Sequence, residues 1–150
     1  MLKSVHSEDI LSGIIKDHLA KDDWNRVIVT GVSSSGKSTY LNKLFREDNI
    51  KVLHTPPFVM DDSHSRLVFR YQRGMDRWYP LDRFVYQGLE PICKTYGHDT
   101  IVIVFVRNQF RVPSSDRRPD YARQRDRYLE LAKKLDESGV YSEVILLENP

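Results

Sequence analysis

The chain has 150 residues, which fits one domain over residues 1–150 that buries its core without disulfide or metal support. The net charge of +2 argues against a dedicated nucleic-acid-coating protein, and a single cysteine excludes an internal disulfide and a multi-cysteine zinc site. The longest apolar run, residues 101–106, is far shorter than the about 20 residues of a membrane helix. The first residues include acids and no long apolar run, so we expect no signal peptide. We therefore expect a cytoplasmic protein with no membrane partner.

The first half of the chain predicts an N-terminal helix followed by strand, loop, helix and strand. Ser7 is of the residue type that caps helices, acids follow it, and apolar residues at helical spacing predict an amphipathic helix over residues 8–20. This helix would form an N-terminal extension over residues 1–22. Further on, β-branched residues and apolar spacing predict a strand at 25–30, a helix at 38–45 and a strand at 50–54.

The second half continues the alternation of helices and strands. A continuous apolar run predicts a buried central strand over residues 100–106. The other predicted elements are a helix at 62–72, a short strand at 75–78, a helix at 82–89, a polar loop at 107–120, a helix at 121–138 and a strand at 142–147. Alternating strands and helices predict an α/β sandwich with a mainly parallel sheet.

The strongest motif lies at residues 31–38, which read Gly-Val-Ser-Ser-Ser-Gly-Lys-Ser and match every fixed position of the phosphate-binding P-loop, G-x-x-x-x-G-K-[ST]. The glycines let the backbone fold around phosphate oxygens, and the next helix directs its N-terminus at the same charge. We expect Lys37, on a solvent-facing loop, to reach the β- and γ-phosphates of ATP, and Ser38 to coordinate Mg²⁺. The predicted cofactors are thus ATP and Mg²⁺, and the predicted cofactor-binding residues are Gly31, Ser33, Ser34, Ser35, Gly36, Lys37, Ser38 and Thr39.

Among P-loop classes, the sequence favours a small kinase. It has no Asn-Lys-x-Asp motif of a GTPase, and its central apolar strand ends in Arg107 rather than in the acid of an ATPase motor. The segment Asp76-Arg77-Trp78-Tyr79, followed by Tyr86-Gln87, resembles the Asp-Arg-Tyr and Ala-Tyr-Gln elements of thymidylate kinases and of related small viral nucleotide kinases. The resemblance covers about residues 25–147. It implies a P-loop NTPase-type three-layer sandwich with a five-stranded parallel sheet in the order 2-3-1-4-5, to which the N-terminal helix is an addition.

Two further groups of residues are candidates for the acceptor side of such a site. An acid at the carboxyl end of a strand faces the ligand crevice, so Asp76 could hold Mg²⁺ through water or accept a proton from the acceptor. Arg77 could contact the transferred or accepting phosphate. The alternative for Asp76-Arg77 is a structural ion pair at the end of the strand. Arg66 and Arg70 are four residues apart on the predicted helix 62–72, where they would form a fork for an acceptor phosphate or only a solvated basic face.

The arginine-rich segment of about residues 107–120 predicts a lid. Kinases of this class need cations that arrive on closure, and we assign this role to Arg117 and Arg118; surface salt bridges and nucleic-acid contacts are the alternatives. Phe58, Tyr86 and Gln87 are candidates for base recognition, although aromatic residues are more often part of a core.

The sequence therefore predicts transfer of the ATP γ-phosphoryl group to a nucleoside monophosphate, which would be thymidylate or another deoxynucleotide. The first alternative is a P-loop kinase for another acceptor: a polynucleotide 5′ end, a nucleoside, or a small acid or sugar. The second is a nucleotide-binding module without catalysis. The expected partner is the small-molecule acceptor, with a nucleic-acid 5′ end less favoured and a homodimer left open.

Overall fold

The computed structural model describes residues 2–21, 25–32, 36–53, 68–70, 100–107, 121–139 and 141–149. Within them the chain forms three helices, which are α1 (Glu8–Lys21), α2 (Lys37–Glu47) and α3 (Tyr121–Ser138). The strands are β1 (Lys3–Val5), β2 (Arg26–Gly31), β3 (Val52–Leu53), β4 (Val68–Arg70), β5 (Thr100–Arg107) and β6 (Glu143–Asn149).

All described strands pair in parallel in one sheet of order β1-β6-β5-β2-β4-β3. The strand β2 therefore lies between β4 and β5. In the register of these pairs, Gly31 is opposite Phe105 on β5 and Val29 is opposite Arg70 on β4. Because parallel strands all end at the same edge, the segment that follows β2 leaves from the middle of the carboxyl edge, where α/β proteins bind ligands.

Apolar side chains cover both faces of this sheet. Alternate residues of β5 enter two different clusters: Val104 packs with residues of α3, and Phe105 packs with residues of α1 and α2. The described helices thus form layers on opposite faces of the sheet. Burial on both faces explains why the central strands read as continuous apolar runs instead of alternating patterns.

Several predicted elements are confirmed. The helix predicted at 121–138 is α3, the helix predicted at 8–20 is α1, and the strand predicted at 100–106 is β5. The N-cap is also confirmed, because the Ser7 Oγ accepts a hydrogen bond from the Ile10 N–H at 3.4 Å. The α/β class with a parallel sheet is confirmed as well, and none of the described helices is long and apolar enough to cross a membrane.

The strand count and order differ from the prediction of five strands in the order 2-3-1-4-5, since six strands are described and β1 extends the sheet beyond β6. The helix predicted over 62–72 is wrong at residues 68–70, because Val68–Arg70 forms β4, and the rest of it lies outside the described residues. Val68 is fully buried between β2 and β3, so pairing in the sheet outweighs the helical spacing. Arg70 therefore ends a strand and is not part of the predicted helix, while Arg66 lies outside the described residues.

Candidate phosphate-binding site

The candidate loop begins where β2 lies closest to β5. The backbone of Gly31 has φ +146°, and a Cβ atom there would lie 2.3 Å from the carbonyl oxygen of Phe105. That same oxygen accepts a hydrogen bond from the N–H of Val32 at 2.9 Å. Only glycine fits this approach, so the first fixed position of the motif has a structural reason in this chain.

The loop ends at Gly36, which is the N-cap of α2 with the left-handed angles φ 94° and ψ 5°. Its carbonyl oxygen accepts the N–H of Tyr40 at 2.9 Å, which is the first hydrogen bond of the helix. Because glycine has no side chain with which to cap a helix, the N–H groups of the first turn receive no hydrogen bond from the N-cap side chain. Such a helix terminus attracts anions through both its N–H groups and its dipole.

Lys37 joins the end of the loop to its beginning. Its side chain is only 3% exposed, and its Nζ donates hydrogen bonds to the carbonyl oxygen of Gly31 and, at 3.1 Å, to that of Val32. The expectation that Lys37 is on a solvent-facing loop is therefore wrong. The residue begins α2, and its side chain reaches back to the last residue of β2 and the one after it, which places the ammonium group at the end of that strand. A buried positive charge consequently lies at the carboxyl edge of the sheet.

The next two residues of the motif remain accessible. Ser38 and Thr39 lie in the first turn of α2 and are both exposed. An exposed hydroxyl beside a helix N-terminus is of the right chemistry to contact a phosphate oxygen or a phosphate-bound Mg²⁺. The structure thus brings Gly31, Gly36, Lys37, Ser38 and Thr39 together at the end of β2.

Tyr40 is a part of this region that the sequence analysis did not identify. Its hydroxyl lies 2.7 Å from the Oγ of Ser12 in α1, and its ring centroid lies 5.5 Å from that of Phe105. Burial is the largest cause of the raised pKa of Tyr40, which is about 12; the hydrogen bond with Ser12 lowers this pKa, and the charges of Glu8, Asp48 and Asp9 raise it. No local pattern could have revealed this residue, because its partners are distant in sequence.

Arginines end both strands that flank β2. Arg70 is the last residue of β4, and Arg107 is the last residue of β5, two positions beyond the Phe105 that pairs with Gly31. Both backbone positions are therefore at the carboxyl edge that carries the loop. Of the predicted acceptor residues, Arg70 is thus placed at the same edge as the P-loop motif.

The remaining predicted site residues lie outside the described residues. They are Ser33, Ser34, Ser35, Phe58, Arg66, Asp76, Arg77, Tyr86, Gln87, Arg117 and Arg118. The strand predicted at 75–78, the helix predicted at 82–89 and the lid segment after Arg107 also lie outside them. In the described part of the chain, no three His, Cys, Asp or Glu side chains are grouped so that they could hold a metal ion.

No protein-family model matches the chain, and no curated protein matches it. The class of protein is therefore given by the fold and the site alone. They define an α/β protein with a parallel sheet, in which a buried lysine at the start of α2 donates hydrogen bonds to carbonyl oxygens at the end of the central strand β2.

Proposed function

We propose that this protein is a P-loop kinase that binds ATP with Mg²⁺ at residues 31–38 and phosphorylates a nucleoside monophosphate, thymidylate or another deoxynucleotide. The observation that carries the proposal is the buried Lys37, whose Nζ bonds the carbonyl oxygens of Gly31 and Val32 at the start of the loop while its backbone begins α2. A lysine, a helix N-terminus and a close glycine backbone are the parts from which P-loops build a phosphate site.

The sheet supports the finer assignment to the P-loop NTPase-type fold. With β1 set aside, the described strands follow the order β3-β4-β2-β5-β6. If β4 is counted as the third strand, this is the order that the resemblance to thymidylate kinases implies. The strand that precedes the P-loop motif is then the first strand, as in that family.

The charges at the sheet edge support a phosphorylated ligand. Lys37 is buried there, α2 has its N-terminus at this residue, and both flanking strands end in arginine, at Arg70 and Arg107. A sheet edge at which several strands and a helix carry cationic residues favours an anion with several phosphate groups as the ligand. On this basis Arg70 stays a candidate for the acceptor phosphate, at the end of a strand instead of on a helix.

In the proposed reaction, a phosphate oxygen of the nucleoside monophosphate attacks the γ-phosphorus of ATP. The bond between that phosphorus and the β–γ bridging oxygen breaks, so that ADP leaves and a nucleoside diphosphate forms. Lys37 and the N–H groups of the first turn of α2 would hold the phosphates in line, and Mg²⁺, held by Ser38 and Asp76, would neutralise their charge. Arg77, Arg117 and Arg118 are proposed to stabilise charge on the transferred group.

The experiment that tests this proposal is a screen of acceptors by ADP release with ATP and Mg²⁺. The screen includes the common nucleoside monophosphates, nucleosides, a 5′-hydroxyl oligonucleotide, and small sugars and acids such as gluconate. We expect release above background with at least one nucleoside monophosphate, and none in the Lys37→Ala variant. Release with only another acceptor class would reassign the substrate. ATP binding without release for any acceptor would favour a nucleotide-binding module and contradict the kinase.

A further inference from the structure

The helix α1 contacts α2 near both ends of α2. Near the start of α2, the Ser12 Oγ and the Tyr40 hydroxyl are 2.7 Å apart. At the other end, the Lys16 Nζ lies 2.7 Å from the Oδ1 of Asp48, the C-cap residue of α2. The helix α1 is in turn attached to β2, because the Nδ2 of Asn25 donates to the carbonyl oxygen of His18 at 2.7 Å.

Tyr40 connects the two ends of the candidate loop. Its N–H donates to the carbonyl oxygen of Gly36, where the loop ends, and its ring lies against that of Phe105. Phe105 is the residue whose backbone contacts Gly31 and Val32, where the loop begins. A movement of Tyr40 would therefore displace its neighbours at both ends of the loop, which are Gly36 at one end and Phe105 beside Gly31 at the other.

We infer that Ser12 and Tyr40 are positioning residues for the phosphate site, and that their hydroxyl–hydroxyl hydrogen bond lets α1 hold the first turn of α2 in its binding geometry. This inference rests on the proposed function, because it gives α1, in the N-terminal extension, a part in the proposed phosphate site. Tyr40 is 2% exposed, so it acts through Gly36 and Phe105 and not by touching the ligand. Without the bond, the first turn of α2 opens more often, and the bound phosphates lose aligned N–H groups.

The binding test compares Ser12→Ala, Tyr40→Phe and the double variant by calorimetric titration with ATP and Mg²⁺. Each single variant should raise the Kd for ATP by about three- to tenfold, which is the range for one net hydrogen bond. The double variant should match the singles, because all three remove the same bond. The matched control is Lys16→Met, which removes the α1–α2 contact at the far end of α2 and should leave the Kd unchanged. Wild-type affinity in the single variants, or equal weakening in Lys16→Met, would overturn the inference.

Amide hydrogen exchange gives a readout that needs no nucleotide. The amide of Tyr40 donates the first hydrogen bond of α2, so its exchange reports how often that turn opens. Ser12→Ala should speed its exchange by about three- to tenfold while the amide of Leu131 in the core of α3 keeps its rate. Unchanged exchange at Tyr40 would refute the coupling. If the wild-type protein does not bind ATP, the proposed function is wrong, but this measurement still decides whether α1 holds the first turn of α2.

Discussion

Gly31 and Phe105 approach each other so closely that a Cβ atom at position 31 would lie 2.3 Å from the carbonyl oxygen of Phe105 and 2.6 Å from its nitrogen. These are backbone atoms of a central strand, which cannot move aside as the end of a flexible side chain can. The contact fixes the point at which the candidate phosphate loop leaves the sheet.

We therefore expect Gly31→Ala to lower the free energy of unfolding by about 2–4 kcal/mol, because it adds a steric clash to a backbone angle that disfavours side chains. The measurement is urea unfolding followed by circular dichroism. A loss below about 0.5 kcal/mol, the usual range for neutral surface changes, would show that β2 and β5 are not in this contact.

The matched control for that variant is Gly13→Ala in α1. Gly13 is exposed, and an added Cβ would meet no atom within 4 Å. Alanine should raise the free energy of unfolding by about 0.5–1 kcal/mol, since it restricts the unfolded chain and suits a helix interior better than glycine. The same urea experiment measures it, and a loss of stability would argue that α1 does not have this helical, exposed surface.

Lys37→Ala should affect both stability and function. The carbonyl oxygens of Gly31 and Val32 lose a buried donor, so the free energy of unfolding should fall by about 1–3 kcal/mol, and ATP-dependent turnover should disappear. Lys43→Ala is the control, because Lys43 is an exposed lysine of the same helix and should change neither quantity by much. Turnover is measured well below the unfolding midpoint of the variant. Turnover within about tenfold of the wild type, which corresponds to a rise in the activation free energy of less than about 1.4 kcal/mol, would contradict the proposed role of Lys37 in binding the ATP phosphates.

Tyr40 should titrate late, since burial raises its pKa from 10.0 to about 12. Between these values the unfolded chain releases a proton that the folded protein keeps, so stability should fall with rising pH by at most about 1.4 kcal/mol per unit. Well below pH 10 both states keep the proton, and Tyr40 should contribute no slope. Tyr40→Phe should remove this contribution, and the phenolate absorbance measured after rapid pH jumps should lose the ionisation of one tyrosine with a pKa of about 12. A titration identical to the wild type in Tyr40→Phe would place Tyr40 outside the core.

Local patterns in the sequence are enough to predict the elements that carry strong periodicity. Helical spacing predicts α3 over its full length, because a helix buried on one side repeats its apolar residues every three to four positions. The apolar run from Thr100 predicts β5, because a strand buried on both faces is apolar at successive positions. The P-loop motif likewise identifies Gly31, Gly36 and Lys37 as neighbours, since their spacing along the chain sets their spacing in the turn.

Elements that depend on distant partners could not be predicted in this way. The strand β1 has three residues and takes its place by pairing with β6, and β4 is a strand because Val68 is buried between β2 and β3. The hydrogen bond between Ser12 and Tyr40 joins residues that are 28 positions apart. The burial of Lys37 follows from how α2 packs over β2, and a loop motif carries no information about that packing.

The most direct test of the central claim is phosphorus NMR of the purified protein with ATP, Mg²⁺ and each nucleoside monophosphate in turn. The proposed function predicts that, for at least one acceptor, the γ-phosphate signal of ATP is replaced by the β-phosphate signal of a new nucleoside diphosphate, with ADP formed in equal amount. This conversion should be absent in Lys37→Ala and retained in Lys43→Ala. Loss of the γ-phosphate only to inorganic phosphate, or no change with any acceptor, would contradict the assignment as a nucleoside-monophosphate kinase.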